Sequence, residues 1–505
     1  MGVLLVLFWS AGPAWASGGQ STMLQDNRLL LSDPGHLDQT LRTLSSLGVQ
    51  RLRISVQWAF LAPDAGSSHM PAGFDGANPA DYPPGAWAPY DAVVRAAARY
   101  KLGVNFNLTG GAPLWAEPAA PPLANVWYPS ASAFGAFVRA VGLRYSGSYP
   151  PPGASAPLPR VGYWSVWNEP NVGASSLAPQ TVNGVEVGPR LYRGLLDAAY
   201  SALQGTGHGG DTILIGELAS TGHADPGSFL GMQPLRFVRA LYCVNGSFRQ
   251  LRGAAAAALG CPTTAAASAR FRAQNPALFQ ATGWSHHPYH LTAPPDARAP
   301  RADPDWVTLA DLSKLESALD RIQRVYGSHK RFPIYLTEYG YDTNPPQAGS
   351  SVSLGTQAAY LNQAEYIAWR DPRVQTLSQY LLRDQPLGYG AQTTTYVSGL
   401  EFLNGKPKPS FAAYRLPIWL PNVRTRRGRA LEVWGCVRPA KLYSSSAVGP
   451  VQIQLNGRTI RSVKVTNPNG YFDVHVAFPG SGNVRLAWNI PHGARIYSRT
   501  VRVTG

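Results

Sequence analysis

The chain predicts an α/β fold, a (β/α)8 TIM barrel, followed by a small all-β sandwich domain. Three observations carry that prediction. From Thr22 to about Leu416, short apolar runs alternate with amphipathic segments, the pattern of βα units closing a parallel sheet. After Pro417 the pattern changes to alternating runs broken by turn residues. The length of 505 residues exceeds one small domain and suits a barrel plus an accessory module. Hydrophobic residues make up 45% of the chain, enough to fill a large core, and only 14% are charged, which excludes a disordered or coiled-coil chain.

At the N-terminus, Val3 to Trp9 form a short apolar run, followed by Gly12-Pro13 and Ala14-Trp15-Ala16. Small residues there are what a signal peptidase reads, so residues 1–16 are expected to be a signal peptide and the protein secreted or held at the cell envelope. A basic stretch ahead of the apolar run is missing, because no Lys or Arg precedes Arg28. The run is also far shorter than the roughly 20 residues a membrane-spanning helix requires.

Residues 17–418 are assigned to the barrel. A weak first strand is expected near Met23 to Gln25. The others are Val49 to Val56, Val104 to Leu108, Val161 to Trp167, Thr212 to Ile215, Gly283 to His287, Ile334 to Thr337 and Leu377 to Leu382. Helices are expected between them, among them Leu37 to Leu47, Ala131 to Tyr145, Leu309 to Val325 and Gln357 to Trp369. Long Gly- and Pro-rich loops mostly follow strands, so they gather on the face where barrels keep their active sites.

A basic linker, residues 419–429 with Arg424-Thr425-Arg426-Arg427-Gly428-Arg429, leads to a β-sandwich over 430–505. Asn456-Gly457 between alternating segments signals a hairpin. From Pro421 onward, 13 Arg and Lys residues stand against only Glu432 and Asp473, a net +11 of the whole-chain +16. Such a patch suits an anionic envelope polymer or acidic polysaccharide, the alternative being a solvated basic face with no partner. No recognition helix or basic-aromatic motif points to nucleic acid. Nothing in the sequence points beyond a monomer.

Two motifs carry chemistry. The run Gly162-Tyr163-Trp164-Ser165-Val166-Trp167-Asn168-Glu169-Pro170 delivers an amide and a carboxylate to the end of the fourth strand. The seventh strand ends in Leu336-Thr337-Glu338-Tyr339-Gly340. Retaining glycoside hydrolysis requires one carboxylic acid to protonate the leaving oxygen and a second carboxylate about 5 to 5.5 Å away to attack the anomeric carbon. Asn168 is placed to hydrogen-bond a sugar 2-hydroxyl.

With these paired motifs, residues 22 to 416 resemble the retaining glycoside hydrolases of clan A (the 4/7 superfamily), closest in style to families 39 and 5. That resemblance implies a β-linked oligo- or polysaccharide cleaved by double displacement, with Glu169 as acid/base and Glu338 as nucleophile. It extends to Arg53, which strand alternation points inward toward the nucleophile, and to Trp284-Ser285-His286-His287-Pro288-Tyr289, where His287 and Tyr289 are candidate substrate-binding residues. Three histidines lie in five residues, yet the proline breaks helical register and no carboxylate stands at ligand spacing, so no metal is expected.

Trp58, Trp115 and Trp127 lie on or just after strand ends, where flat rings stack on sugar faces, although core packing is the common fate of any one Trp. Glu217, after the fifth strand, is a third carboxylate that would assist substrate binding. Cys243 and Cys261 bracket an Ala-rich loop and suit a local disulfide in an exported protein, or are two unrelated buried thiols. Cys436 reads as a buried small hydrophobe. No cofactor is implied. The alternatives to hydrolysis are transglycosylation with the same residues and a non-catalytic glycan-binding envelope protein.

Overall fold

In the computed structural model, residues 17–505 are described apart from 84, 387–394 and 425–429. The predicted signal peptide and residues 425–429 of the basic linker lie outside the described residues.

Eight parallel strands close a barrel: β1 Ser21–Gln25, β2 Arg51–Gln57, β3 Gly103–Thr109, β4 Tyr163–Val166, β5 Thr212–Ala219, β6 Gly283–His287, β7 Ile334–Tyr339 and β8 Val374–Tyr380. Each strand pairs with the next, and β8 closes on β1 with Ser21 opposite Thr376 and Gln25 opposite Tyr380. Strand alternation explains the two layers of the core. In β2, Leu52, Ile54 and Val56 are fully buried on one side of the strand, while Arg53 and Ser55 share the other. The inward side is polar on several strands, including Asn105 and Ser165, whose Oγ donates to Asn105 Oδ1 at 3.2 Å. Pairing of polar groups offsets the cost of burying them, and this interior is organised around a charged cluster at its upper end.

The helices follow their apolar stripes. Leu37–Ser46 buries Leu37, Leu41 and Leu44. The segment expected as one helix from Leu309 begins with a 3-10 turn, Leu309–Asp311, before the helix Leu312–Val325. Between β5 and β6 lies an insertion of short helices, Pro234–Leu241, Gly253–Ala258, Ala265–Gln274 and Pro276–Gln280. Its Ala-rich stretches carry no apolar periodicity for sequence reasoning to read. Cys243 and Cys261 form a disulfide across this insertion, with Cα atoms 5.6 Å apart, and Cys436 is a buried free thiol.

The sandwich comprises β9 Ile418–Trp419, β10 Ala430–Cys436, β11 Val451–Leu455, β12 Arg458–Val463, β13 Tyr471–Ala477, β14 Gly482–Asn489, β15 Arg495–Tyr497 and β16 Val501–Val503. Strands β9, β10 and β13 form one sheet and the other five strands the second. Trp419, the first residue of the expected linker, is already in register with Trp434 of β10. Asn456 and Gly457 both have positive φ, 49° and 83°, as a two-residue hairpin of this twist requires. The sandwich docks on the helix Leu354–Arg370. There Arg438 pairs with buried Glu365, Tyr471 donates to Glu365 Oε1 at 3.3 Å, and Trp369, Trp434 and Tyr471 pack together. Among the described residues, no helix is long and apolar enough to cross a membrane.

Candidate active site

The ends of β4 and β7 bring Glu169 and Glu338 together at the barrel mouth. Glu169, His287 and Glu338 each offer a side-chain atom, and these atoms lie within 4.8 Å of one another. Glu169 is the more open of the two carboxyls, its side chain 24% exposed against 12% for Glu338.

The backbone delivering Glu169 is strained. Trp167, Glu169 and Glu217 have φ of 67°, 46° and 50°, left-handed values that non-glycine residues adopt rarely and that cost about 1–3 kcal/mol each. Packing and hydrogen bonds hold them there. Trp167 N–H donates to Leu108 O at 2.7 Å, Glu169 N–H donates to Glu217 O at 2.9 Å, and Ser176 Oγ donates to Asn168 O. Gly110 is required beneath this turn, because a Cβ there would meet the Trp167 ring at 2.7 Å.

Arg53 is the hub. Its Nη1 donates to Glu338 Oε1 at 2.5 Å and to Gln25 Oε1. Its Nη2 donates to Glu217 Oε2 at 2.6 Å and to Asn168 Oδ1 at 3.0 Å. The last bond fixes the amide of Asn168 with its oxygen inward, leaving Nδ2 as a donor for ligand. Arg53 is wholly buried, so it acts on the ligand-facing groups through these hydrogen bonds and not by contact with ligand.

His287 links the carboxylates. Its Nδ1 lies 2.8 Å from Glu169 Oε1 and 3.7 Å from Glu338 Oε2, and its Nε2 lies 2.9 Å from Glu217 Oε2. Burial opposes a charge on the ring, but the charge of Glu338 and the hydrogen bonds to Glu169 and Glu217 outweigh it and raise its pKa to about 10. The raised pKa favours a protonated ring, with one N–H toward the Glu169 carboxyl and the other toward Glu217, so the cluster is arranged as a salt-bridged acid/base site. The ring is fully buried, which makes His287, like Arg53, a positioning residue and not the substrate contact expected from sequence.

Glu217 is likewise corrected. It does not reach the mouth: it is fully buried, and Thr337 Oγ1 also donates to it at 3.1 Å. Burial alone would raise its pKa, but Arg53 and His287 more than reverse that and hold it well below the usual carboxylate range. Gly216 before it has φ 104°, and a Cβ there would lie 2.6 Å from Ser285 O, so only glycine lets β5 turn Glu217 inward. His286 faces away, 2.8 Å from Val307 O, and burial lowers its pKa to about 4.

Tyr289 is half-buried; its hydroxyl donates to Glu338 Oε2 at 3.4 Å and its ring stacks on Tyr339 at 6.0 Å. Tyr380 and Tyr396 complete the wall, edge to face at 5.4 Å. Burial raises the Tyr380 hydroxyl pKa well above its usual value, and the Glu338 charge adds to that. Neither was singled out from sequence. Tyr380 ends β8, a strand-end position that could have flagged it; Tyr396 lies on an irregular loop with no such signal.

The three tryptophans separate. Trp58 is fully buried against Phe134 and Phe137 and belongs to the core, which removes it as a sugar platform. Trp115 packs edge-on to Trp58 and Phe74, and its Nε1 donates to Pro63 O at 3.0 Å, so it holds loops together. Trp127 is half-buried and lies 5.5 Å from Phe229, itself 46% exposed. That pair stands on the Glu169 side of the mouth, because Ala174 N–H donates to Phe229 O at 2.8 Å just beyond the Glu169 turn.

No protein-family model matches the chain, and no curated protein matches it. Among solved structures, the chain is similar to a family 39 glycoside hydrolase from the gut symbiont Bacteroides cellulosilyticus WH2, with TM-score 0.50 and 15% identity, over 92% of this chain and 81% of that one. It is also similar to a glucosidase from Croceicoccus marinus, with TM-score 0.48 and 12% identity, over 96% of each chain. At such identities the likeness is one of fold: a closed parallel barrel of eight strands with further antiparallel sheets at its C-terminal end.

Proposed function

We propose that this protein is an exported retaining β-glycosidase that cleaves O-glycosidic bonds of a β-linked saccharide by double displacement. One observation carries the reading: carboxylate oxygens of Glu169 and Glu338 approach within 4.8 Å across the mouth. That closeness fits a nucleophile and acid/base pair, whose carboxyls stand about 5–5.5 Å apart, better than the about 6.5–9.5 Å of an inverting pair. The fold shared with a family 39 glycoside hydrolase is consistent with this by analogy only. The Cys243–Cys261 disulfide supports export.

Glu338, aimed by Arg53 and Tyr289, attacks the anomeric carbon while Glu169 gives its proton to the leaving oxygen. A water then enters, Glu169 takes a proton from it, and the Glu338 ester is cleaved with net retention. Asn168, whose Oδ1 accepts from Arg53, would offer its Nδ2 to the 2-hydroxyl.

The test is the stereochemistry and covalent chemistry of turnover across a panel of β-linked glycans and aryl β-glycosides. Proton NMR of the first product should show the β-anomer, and a 2-deoxy-2-fluoro glycoside should leave one sugar on the peptide containing Glu338. Release of the α-anomer, or labelling of another residue, would reject the mechanism.

A further inference from the structure

We propose that the outer face of the five-stranded sandwich sheet is a docking platform for an anionic, uronate-bearing polysaccharide, separate from the cleavage site. The sheet's two faces differ sharply. Val451, Ile453, Val484, Leu486, Trp488 and Ile496 point into the core. The alternate positions point outward: Gln452 and Gln454 on β11, Arg485 and Ala487 on β14, Arg495 and Tyr497 on β15, and Arg502 on β16.

Among the described residues, none of the five strands carries an Asp or Glu. The two acids of the basic region, Glu432 and Asp473, belong to β10 and β13 of the other sheet. At its centre is Tyr497, 38% exposed and in register with Ala487, whose small side chain leaves the ring room. Two guanidiniums bracket the ring, with Arg485 Cζ 4.1 Å and Arg495 Cζ 5.8 Å from its centroid. Both are already oriented: Arg485 Nε donates to Gln454 Oε1 at 3.0 Å, and Arg495 Nη2 donates to Gln452 Oε1. Each keeps further N–H groups for a ligand, and a guanidinium offers a fork that matches a carboxylate.

Arg502, opposite Asn483, and Arg495, opposite Asn489, mark the two ends of this row along β14. Six residues of strand span roughly 20 Å, so the row is a track and not a point site. A row of guanidiniums along one strand suits a chain that bears carboxylates at intervals, and its charge complements that of such a chain. A duplex or a lipid surface would use the charge but not the single flat ring held between two oriented guanidiniums.

The full-length protein carrying Glu338→Gln, which keeps the polymer intact during the measurement, is run in native gels containing polygalacturonate or neutral galactan at about 0.15 M salt. Polygalacturonate should retard it and galactan should not. Arg485→Gln with Arg495→Gln, and separately Tyr497→Ala, should each weaken the apparent affinity ~10-fold. Removing the same charge from the barrel with Arg270→Gln and Arg324→Gln should change it less than ~2-fold, because attraction to distant charges is screened. Unfolding midpoints of all variants are compared, since these side chains are surface groups and the fold should persist. Absence of retardation, or equal weakening by the two arginine pairs, rejects the platform. Tighter binding to duplex DNA or to anionic phospholipid vesicles, lost in the same Arg485/Arg495 variant, would assign the face to a different polymer and also reject it.

Discussion

The guanidinium of Arg53 lies 2.6 Å from Oε2 of Glu217, and both side chains are completely shut off from solvent. Neither is open to the mouth, yet between them they set the geometry of the groups that are, since Arg53 also holds Glu338 and Asn168 while Glu217 holds His287. Removing one partner of a buried ion pair strands the other charge and typically costs about 3–5 kcal/mol. Glu217→Gln is therefore expected to lower stability by about that amount in urea unfolding. It should also lower kcat by roughly tenfold or more, with KM little changed, because the loss is in positioning of the reacting groups. A variant with normal stability and kcat would show that Glu217 is a spectator.

His287 makes stability depend on pH in a definite direction. Its pKa rises from 6.5 to about 10 on folding, so its contribution is complete below about pH 6.5 and fades as pH rises toward 10. Glu217 moves the other way, its pKa depressed in the folded state, so its contribution is complete above about pH 4.5 and fades on acidification. The cluster is thus fully stabilising between roughly pH 4.5 and 6.5. Thermal midpoints of the native protein and His287→Gln, measured from pH 4 to 10, should differ most in that window and converge toward pH 10. A difference that grows with alkaline pH would contradict the protonated state of His287.

Much of this cluster was legible in the sequence because strand alternation and strand ends are short-range properties. The motifs at Asn168-Glu169 and Thr337-Glu338 lie where β4 and β7 finish, and the alternation of Leu52, Arg53 and Ile54 placed Arg53 inside. What failed was depth. Nothing local distinguishes Glu217, buried by the turn at Gly216, from a carboxylate one residue further out at the mouth. Trp58 has the same difficulty: it follows β2 immediately but turns down into the Phe134 and Phe137 layer, a contact set by a helix some 80 residues later.

The Cys243–Cys261 disulfide should matter to stability and not to turnover. It spans a sequence separation of 18, for which closure of the unfolded chain is worth about 3 kcal/mol. The insertion it ties is held to the barrel away from the catalytic mouth, where Gln250 Nε2 donates to Val325 O at 3.0 Å and Arg272 Nη1 to Gly327 O at 2.8 Å, both ahead of β7. Cys243→Ser with Cys261→Ser is expected to lower the unfolding free energy by about 2–3 kcal/mol while kcat at 25 °C stays within twofold. A collapse of kcat at unchanged stability would place the insertion in catalysis.

Trp127 and Phe229 should bind the portion of the substrate that departs. Their loops are tied to the segment carrying Glu169: Trp127 bridges Ala178, Ala174 N–H donates to Phe229 O, and Gln180 Nε2 donates to Pro170 O at 2.8 Å. Under the double-displacement mechanism proposed above, a group stacked there would lie beside the acid, so it would contact the leaving saccharide and not the sugar attacked by Glu338. Glu117 keeps the platform in place by accepting from the Trp127 N–H at 2.7 Å and the Asn125 N–H at 2.8 Å. Trp127→Ala is expected to reduce kcat/KM ~10-fold on substrates whose leaving group is an oligosaccharide, because stacking on a large ring is lost. On an aryl glycoside with a small leaving group the change should be under ~2-fold, since that substrate does not extend to the ring. Comparing kcat/KM for the two substrates decides the matter: equal losses on both would mean that Trp127 supports the fold of the mouth and binds no sugar.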